Sequence, residues 1–345
     1  MKLNVLVPIV AICSLFFSMS SMALSEMSPY QGVVPADNST EAQLQEKALE
    51  QVFIKVSGNA DINKLEGSNA LDSQLSSIMS EFGYKTVDNK SYYYANFDKA
   101  NIDDAIRAMK QPIWSDGRPE VLIWLLNENK KLTSESMIGG ELSSGLLEGE
   151  LTRGISTQFP LMDLDDALAI SEADVGGRFY QTMGQAASRY GTNTYVAANL
   201  TNLGNDQWEL KWDLVEYTAA NKKSEVIIKQ VSNGNKTSVM SAMISEIADY
   251  YADKFAVLET TGEKTTQTIT IKNITSFQDI IKINALLENL NAVESFEVVN
   301  MTETEVELLI SLKGGIKSLT NALNSHSKLQ QNLITPSPFD YNWQP

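Results

Sequence analysis

Residues 117–131, GRPEVLIWLLNENKK, contain six consecutive apolar residues, Val121 to Leu126, between a proline turn and a polar run. A stretch of this length is far too short for a membrane span, which needs roughly 20 apolar residues. No polar residue alternates within it. Continuous apolarity over so few residues is typical of a strand that is buried on both faces. The sequence therefore predicts a sheet with helices on both sides.

Three segments further along the chain are predicted to be antiparallel strands joined by short turns. They are residues 192–201, 206–217 and 224–231. In the middle segment, large apolar residues alternate with charged residues, which predicts one buried face and one wet face. The apolar set is Trp208, Leu210, Trp212 and Leu214, and the charged set is Glu209, Lys211 and Asp213.

Helical segments and one further strand complete a central α/β domain over residues 113–258. The predicted helices cover residues 141–159, 176–191 and 238–258, and a short strand is predicted at residues 160–166. Gly145 and Gly149 interrupt the first of these helices. We expect the two glycines to allow close packing against another helix.

The segment before residue 113 predicts a smaller α/β domain over residues 24–112. Thr40 and Gln43 have the spacing of a capping box, and apolar residues recur every four positions after them, so we expect a helix that ends at Gly58. Strands are predicted at residues 30–34 and 84–98, and two further helices at residues 71–82 and 98–112.

The C-terminal part begins after a polar segment without periodicity, residues 259–266, which is predicted to be a linker. Residues 267–335 then follow the βαββαβ order of a ferredoxin-like domain, with its last strand at residues 328–334. Ser276 and Asp279 have capping-box spacing at its first helix. The predicted fold class is α/β (α+β), a mixed sheet domain flanked by helices, with a C-terminal ferredoxin-like domain.

The first 23 residues have the pattern of a secretory signal peptide, with Lys2 before an apolar stretch and small residues up to Ala23. An uncleaved anchor is the alternative, although the apolar stretch is shorter than the roughly 18 to 20 residues of a stable span. Cys13, the sole cysteine, lies in this segment. We therefore expect a periplasmic protein that has no thiol and no stable membrane span after cleavage.

The charge of the chain limits its partners. The formal net charge is -16 over 345 residues, so the long-range field repels polyanions and disfavours binding to nucleic acid. The hydrophobic content of 43% is ordinary for a soluble globular protein and allows a sizeable core.

Few residues offer catalytic or metal-binding chemistry. His326 is the only histidine, and its position near the end of the last predicted helix favours a turn or a helix cap. Gly140 and Gly145 have the outer spacing of a phosphate-binding loop, but Leu146 and Leu147 stand where lysine and serine or threonine are required.

Acidic residues cluster at Asp163, Asp165 and Asp166. A calcium loop would need an oxygen ligand at Ala167 and a glycine at Leu168, so we expect a helix cap instead. No catalytic residue, metal or cofactor is predicted. A carboxylate pair for glycoside hydrolysis remains open, because 43 acidic residues guarantee some close pairs.

Two features indicate contacts with other molecules. Arg178 follows a glycine pair at a predicted helix start, where free amides and the guanidinium would hold an anion; a tight turn before a packed helix is the alternative. The tail, residues 336–345, places aromatic residues between prolines, as anchors for the groove of a partner; packing on the protein's own surface is the alternative. The tail anchors are Phe339, Tyr341 and Trp343.

Several landmarks occur in order along the chain: KVSGN, ANFD, QPIW, GRPEVLIWL, FPLMDLDD, ADVGGRF and ASRYGTNTYVAANL, followed by the tryptophan-bearing strands. This order resembles the uncharacterised exported proteobacterial family catalogued as DUF 2066. The resemblance spans nearly the whole chain after the leader. It implies a location in the periplasm of a Gram-negative bacterium and does not imply a catalytic activity.

We therefore expect a non-catalytic binding, scaffold or accessory protein of the cell envelope, with an envelope protein as partner. A cofactor-free hydrolase that uses carboxylates and a carrier of small ligands are the alternatives. The sequence does not indicate an oligomeric state.

Overall fold

The computed structural model describes residues 28–87, 90–114, 118–219, 221–259, 265–326, 328–332, 335 and 337–344. Within these ranges the chain is mixed α/β and forms three sheets with helices packed against them, which confirms the predicted fold class. The predicted leader, residues 1–23, lies outside the described residues, as do residues 260–264 of the predicted linker. No helix in the described part of the chain combines the length and the hydropathy that a bilayer span requires.

The first sheet is small and antiparallel. Its strands are β1 (Gln31–Pro35), β2 (Met79–Val87) and β3 (Lys90–Phe97), and its helices are α1 (Glu41–Ser57), α2 (Leu75–Ile78) and α3 (Lys99–Ala108). The strand order is β1–β3–β2. Helix α1 begins with the predicted capping box, in which the backbone N–H of Gln43 donates to the Thr40 hydroxyl, and it ends at Gly58 with a φ of 73°.

The prediction of one helix over residues 71–82 is wrong. A 3-10 turn and the four-residue α2 occupy its first part, and β2 has already begun at Met79. In β2 the rings of Phe82 and Tyr84 lie 6.2 and 5.4 Å from the ring of Tyr93 on β3. These cross-strand aromatic pairs stabilise the sheet and outweigh the local helical pattern.

The central sheet has five strands. They are β4 (Glu120–Leu126), β5 (Ser156–Gln158), β6 (Thr194–Gly204), β7 (Gln207–Thr218) and β8 (Lys223–Gly234). The helices are α4 (Gly140–Arg153), α5 (Leu164–Ala169), α6 (Glu172–Gly176), α7 (Tyr180–Ala187) and α8 (Lys236–Phe255). The order is β5–β4–β6–β7–β8, in which β4 runs parallel to both neighbours and β6, β7 and β8 are antiparallel, as predicted.

The strand predicted at residues 160–166 is displaced towards the N-terminus. The chain pairs with β4 at Ser156–Gln158 and then leaves the sheet. Asp163 caps α5, because its side chain accepts a hydrogen bond from the backbone N–H of Asp166. Helix α5 therefore occupies the end of the predicted strand, and Asp163 caps that helix, as expected.

Strand β4 is buried on both faces, as its apolar run predicted. Val121, Ile123 and Leu125 pack into a core beneath α4 and α8, and that core also holds the apolar face of β7. On the opposite face, Leu122 and Trp124 pack into a second core beneath α6 and α7. The two cores make the central domain a three-layered structure.

The last sheet has five strands and two helices. The strands are β9 (Thr265–Lys272), β10 (Val293–Met301), β11 (Glu305–Leu312), β12 (Leu329–Gln331) and β13 (Asp340–Trp343), and the helices are α9 (Phe277–Asn289) and α10 (Ile316–Ser325). The order is β10–β11–β9–β13–β12. The first three strands have the arrangement of a ferredoxin-like domain, and Ser276 and Asp279 form the predicted capping box of α9.

The fourth strand position differs from the prediction. Strand β13, which comes from the tail, lies beside β9 and runs parallel to it. The predicted last strand, β12, pairs with β13 in an antiparallel sense and lies at the edge of the sheet. Strand β13 of the tail therefore lies between β9, the first strand of the domain, and β12, the strand expected next to β9.

Two arginines join the first unit to the central domain. Arg153 of α4 donates to the carbonyl of Gly58 at 2.9 Å and to the Asp249 carboxylate at 2.6 Å. Arg118 donates to the carbonyls of Lys55 and Trp114, at 2.5 and 2.6 Å. Because these donors reach backbone carbonyls from both units, the C-terminal end of α1 is held against α4 and the start of the central domain.

Candidate functional site

The aromatic tail residues lie in the core of the C-terminal domain. Tyr341 and Trp343 are 0 and 2% exposed, and Phe339 packs against the same core. The side chains of Tyr341 and Trp343 point from β13 to the face of the sheet that the helices cover, because side chains alternate along a strand. This corrects the expectation that the three side chains anchor in the groove of a partner; the alternative, docking on the protein's own domain, is what the structure shows.

Arg178 lies in the short connection between α6 and α7. Its backbone has a φ of 59°, and its guanidinium reaches the sheet, where Nε lies 2.9 Å from Oδ2 of Asp213 on β7. Nη2 also donates to the carbonyl of Lys211 at 3.2 Å. The residue therefore fastens the α6–α7 connection onto the central sheet.

Asp213 was predicted to lie on the wet face of its strand, and this is wrong. Its side chain is buried because Arg178 and Tyr180 cover it, and the Tyr180 hydroxyl donates to Oδ2 at 2.9 Å. Burial and then the bond to Asp213 raise the pKa of Tyr180 to about 12, so this hydroxyl remains a donor at neutral pH. The carboxylate is thus held by one cation and one neutral donor.

A pocket of about 510 Å³ opens beside this ion pair, on the part of the sheet that α6 and α7 leave uncovered. Its lining residues come from the glycine pair segment and from three strands. They are Gly176, Arg178, Asn199, Lys211, Asp213, Lys229, Gln230 and Val231. The volume lies within the range of pockets that bind small molecules, roughly 300 to 1,000 Å³.

The side chains around this pocket carry more positive than negative charge. Lys229 forms no ion pair within the part of the chain that the structure describes, and Lys130 at the rim donates to the Asn199 amide oxygen at 2.8 Å. Lys211 lies 2.8 Å from Glu209. Three cations and the Asp213 carboxylate therefore line the pocket, and Lys130 and Glu209 adjoin it through Asn199 and Lys211, in a protein whose net charge is -16. We call this arrangement the Arg178 pocket.

Sequence reasoning identified Arg178 but did not connect it with the other cations. Lys211 belonged to the predicted wet face of β7, and this signal was available. Lys229 and Lys130 reach the same place only because β8 and the turn after β4 flank the strands β6 and β7. Their convergence depends on strand order, which residue spacing does not encode.

A smaller pocket, of about 230 Å³, lies on the open face of the C-terminal sheet. Its lining includes Lys272, Glu305 and Glu307, and Lys272 lies 3.5 Å from the Asp340 carboxylate. The cation is therefore already compensated, and carboxylates predominate. This pocket offers no comparable site for an anion.

The other sequence candidates have structural roles. His326 is the C-cap of α10, as expected, and its backbone N–H donates to the carbonyl of Leu323. A Cβ on Gly145 would lie 2.4 Å from the carbonyl oxygen of Thr237 on α8, which confirms close helix packing as the reason for that glycine. Asp163 caps α5, and the hydrogen bond from the Arg189 guanidinium holds the pKa of Asp163 at about 2.

Glu150 is a half-buried carboxylate with a perturbed pKa. Burial raises its pKa above the ordinary value, although the backbone N–H and hydroxyl of Thr157 both donate to it, at 2.8 and 2.5 Å, and oppose the shift. These bonds tie β5 to α4. Among the described residues, no group of three or more histidine, cysteine, aspartate or glutamate side chains is arranged to hold a metal ion.

A family model for a domain of unknown function, DUF8605, matches residues 27–115. The match therefore covers the first sheet with α1, α2 and α3, and it ends just before the central sheet begins. No curated protein matches the chain. An uncharacterised domain family thus accounts for the first unit, and the Arg178 pocket lies outside it.

Proposed function

We propose that the protein is a non-catalytic binding protein of the bacterial cell envelope that holds a small anionic ligand in the Arg178 pocket. In this role it acts as a carrier or accessory factor for a process in the envelope. The observation that carries the proposal is the excess of cations in a pocket of about 510 Å³ on a strongly acidic protein.

Local and long-range charge act differently on possible ligands. The net charge of -16 repels large polyanions such as nucleic acids, and salt at about 0.1 M screens this repulsion beyond a distance of about 10 Å. A small anion feels mainly the cations that it contacts. Lys229 and Lys130 are free of carboxylate partners in the described structure, so their charges are available to such a ligand.

The proposed location rests on the sequence. The pattern of residues 1–23 is that of a cleaved leader, and the resemblance to the DUF 2066 family supports a Gram-negative periplasm. Expression in a Gram-negative host tests this: we expect release by osmotic shock and a mature chain that begins at Leu24. A cytoplasmic chain that retains the leader contradicts the proposed location.

Binding is tested by titrating the mature protein with citrate and, separately, with inorganic phosphate. We expect each anion to raise the melting temperature progressively with the logarithm of its concentration above its Kd, and added sodium chloride to weaken the effect. The Lys130→Gln/Lys229→Gln double variant should bind about tenfold more weakly or worse, because two charged hydrogen-bond donors are lost.

The matched control is Lys282→Gln/Lys317→Gln, which removes two exposed lysines of the C-terminal domain. This variant has the same net charge as the pocket variant, so a general charge effect would weaken binding equally in both. Equal binding by the two variants, or no stabilisation by either anion at millimolar concentration, overturns the proposed function.

The hydrolase alternative has less support than the carrier. The half-buried carboxylate with a raised pKa, Glu150, accepts two hydrogen bonds from Thr157 at Oε1. Burial between α4 and β5 accounts for the raised pKa of Glu150, and the bonds from Thr157 give the carboxylate a structural role.

A further inference from the structure

Helix α5 has its apolar side chains on the outside. Leu164 and Leu168 are 74 and 79% exposed, and the residue of this helix that is buried is Asp166. An ordinary surface helix buries its apolar side chains and exposes its charges. The inverted arrangement indicates that the leucines serve a contact that the isolated chain does not make.

Two further exposed apolar side chains adjoin the helix. Leu161, 54% exposed, comes three residues before α5, and Met137, 57% exposed, belongs to a 3-10 turn. The backbone N–H of Glu135 donates to the carbonyl of Pro160 at 2.9 Å, which places that turn against the segment leading into α5. We call the surface formed by Met137, Leu161, Leu164 and Leu168 the leucine patch.

The patch is held in place from beneath by polar bonds. Asp166 accepts hydrogen bonds from the Tyr190 hydroxyl at 2.5 Å and from the Arg189 guanidinium at 2.7 Å. The Tyr190 hydroxyl also accepts a hydrogen bond of 2.8 Å from the backbone N–H of Leu161. Because these bonds orient α5, the exposure of its leucines is a defined feature of the fold and does not follow from loose packing.

The charges around the patch are mostly negative. Asp163 and Asp165 are exposed beside and on α5, and Glu135 is exposed next to Met137. Arg189 is the cation among them, and its guanidinium is already bound to Asp163 and Asp166. An incoming molecule therefore meets leucines with a negative rim.

We propose that the leucine patch docks a basic, amphipathic segment of another protein, whose apolar face covers the leucines and whose lysines or arginines face the acidic rim. A second copy of this chain would bring like charges together at this surface, and an anionic membrane would be repelled by the same rim. This interaction is independent of the Arg178 pocket and goes beyond the proposed function.

The test measures binding of a labelled helical peptide of leucine and lysine, with its leucines along one face, to the mature protein at physiological ionic strength. The Leu164→Glu/Leu168→Glu variant should bind about tenfold more weakly, because central apolar contacts supply most of the energy of such an interface. Both side chains are exposed, so the variant should keep the circular dichroism and melting temperature of the parent.

The control is Leu203→Glu/Leu258→Glu, which changes two leucines that are 57 and 53% exposed elsewhere. It adds the same negative charge, and its affinity should stay within about twofold of the parent protein. Attraction by net charge alone would make both variants bind the cationic peptide more tightly than the parent, and that result overturns the proposal.

Two other outcomes also overturn it. Self-association of the parent protein in sedimentation experiments, lost in the Leu164→Glu/Leu168→Glu variant, assigns the patch to a second copy. Binding to phosphatidylcholine vesicles that this variant loses, without binding to the peptide, assigns it to a membrane surface.

Discussion

The indole Nε1 of Trp343 donates a hydrogen bond of 3.1 Å to Oδ1 of Asp279, a residue 64 positions earlier in the chain. Asp279 also accepts from the backbone N–H and the hydroxyl of Ser276, at 2.9 and 3.0 Å. Burial would raise the pKa of Asp279, but hydrogen bonds from the backbone N–H of Thr275, from the hydroxyls of Ser276 and Thr275 and from Trp343 outweigh it and hold the pKa at about 2. One carboxylate thus caps α9 and fastens the C-terminal strand to it.

Trp343→Ala should destabilise the C-terminal domain by about 3 to 5 kcal/mol, because it leaves a cavity in the core and removes the bond to Asp279. Urea denaturation followed by far-UV circular dichroism measures the loss. Gln344→Ala, beside it at an exposed position, should be close to neutral. Similar stability of the two variants would show that the tail is not part of the folded domain.

Lys55→Met should stabilise the protein, and the gain should depend on pH. Burial, with smaller effects from Arg118 and Lys85, lowers the pKa of Lys55 from 10.5 to about 7. Between these values the unfolded chain binds more protons than the folded one, so this lysine makes the free energy of unfolding rise with pH. The penalty is fully present below pH 7 and amounts to about 5 kcal/mol at most.

The gain from Lys55→Met is therefore expected to be larger at pH 6 than at pH 9, as measured by urea denaturation at both values. Lys64→Met, at an exposed position, serves as the control and should leave the pH dependence unchanged. If the free energy of unfolding had the same pH dependence in the parent protein and in the Lys55→Met variant, that result would contradict the lowered pKa of Lys55.

Arg178→Met should destabilise the central domain by about 3 to 5 kcal/mol, because it leaves the buried Asp213 carboxylate without its cation. Adding Asp213→Asn removes the unpaired charge, so the double variant should recover part of the loss. The four proteins of this cycle are compared by urea denaturation. Additive losses in the double variant would mean that the two side chains do not interact.

Gly145→Ala should cost about 1 to 3 kcal/mol, because the new methyl group would meet the backbone of α8 at Thr237 and force α4 away from it. Gly139→Ala is the matched control, since a Cβ there meets no atom within 4 Å and the backbone is extended. Thermal melting compares the two variants. Equal melting temperatures would contradict the close approach of the helices.

Local patterns predicted much of the fold. The apolar run of β4, the capping boxes at Thr40 and Ser276, and the buried apolar face of β7 each depend on residues within a few positions of one another. They were confirmed because periodicity and capping are short-range effects. The predicted helix over residues 71–82 failed because pairing of β2 with β3 overrides local propensity.

The candidate site was predicted only in part. Arg178 was identified from its glycine neighbours, but the burial of Asp213 contradicted a simple alternation of wet and dry positions. The tail aromatics were recognised as anchors, and the structure identifies the surface that they contact as their own domain. In both cases the partner lies far away in the chain, so no spacing within the motif reveals it.

The amino-acid sequence by itself determined the capping boxes, the apolar faces of most helices and strands and the acidic charge of the protein, because these follow from composition and from neighbours a few residues apart. Only the tertiary structure decided that β13 enters the sheet beside β9, that cations from separate strands meet around Asp213, and that α5 turns its leucines outward. Those outcomes depend on which distant segments pair and which side of each element the resulting layers cover.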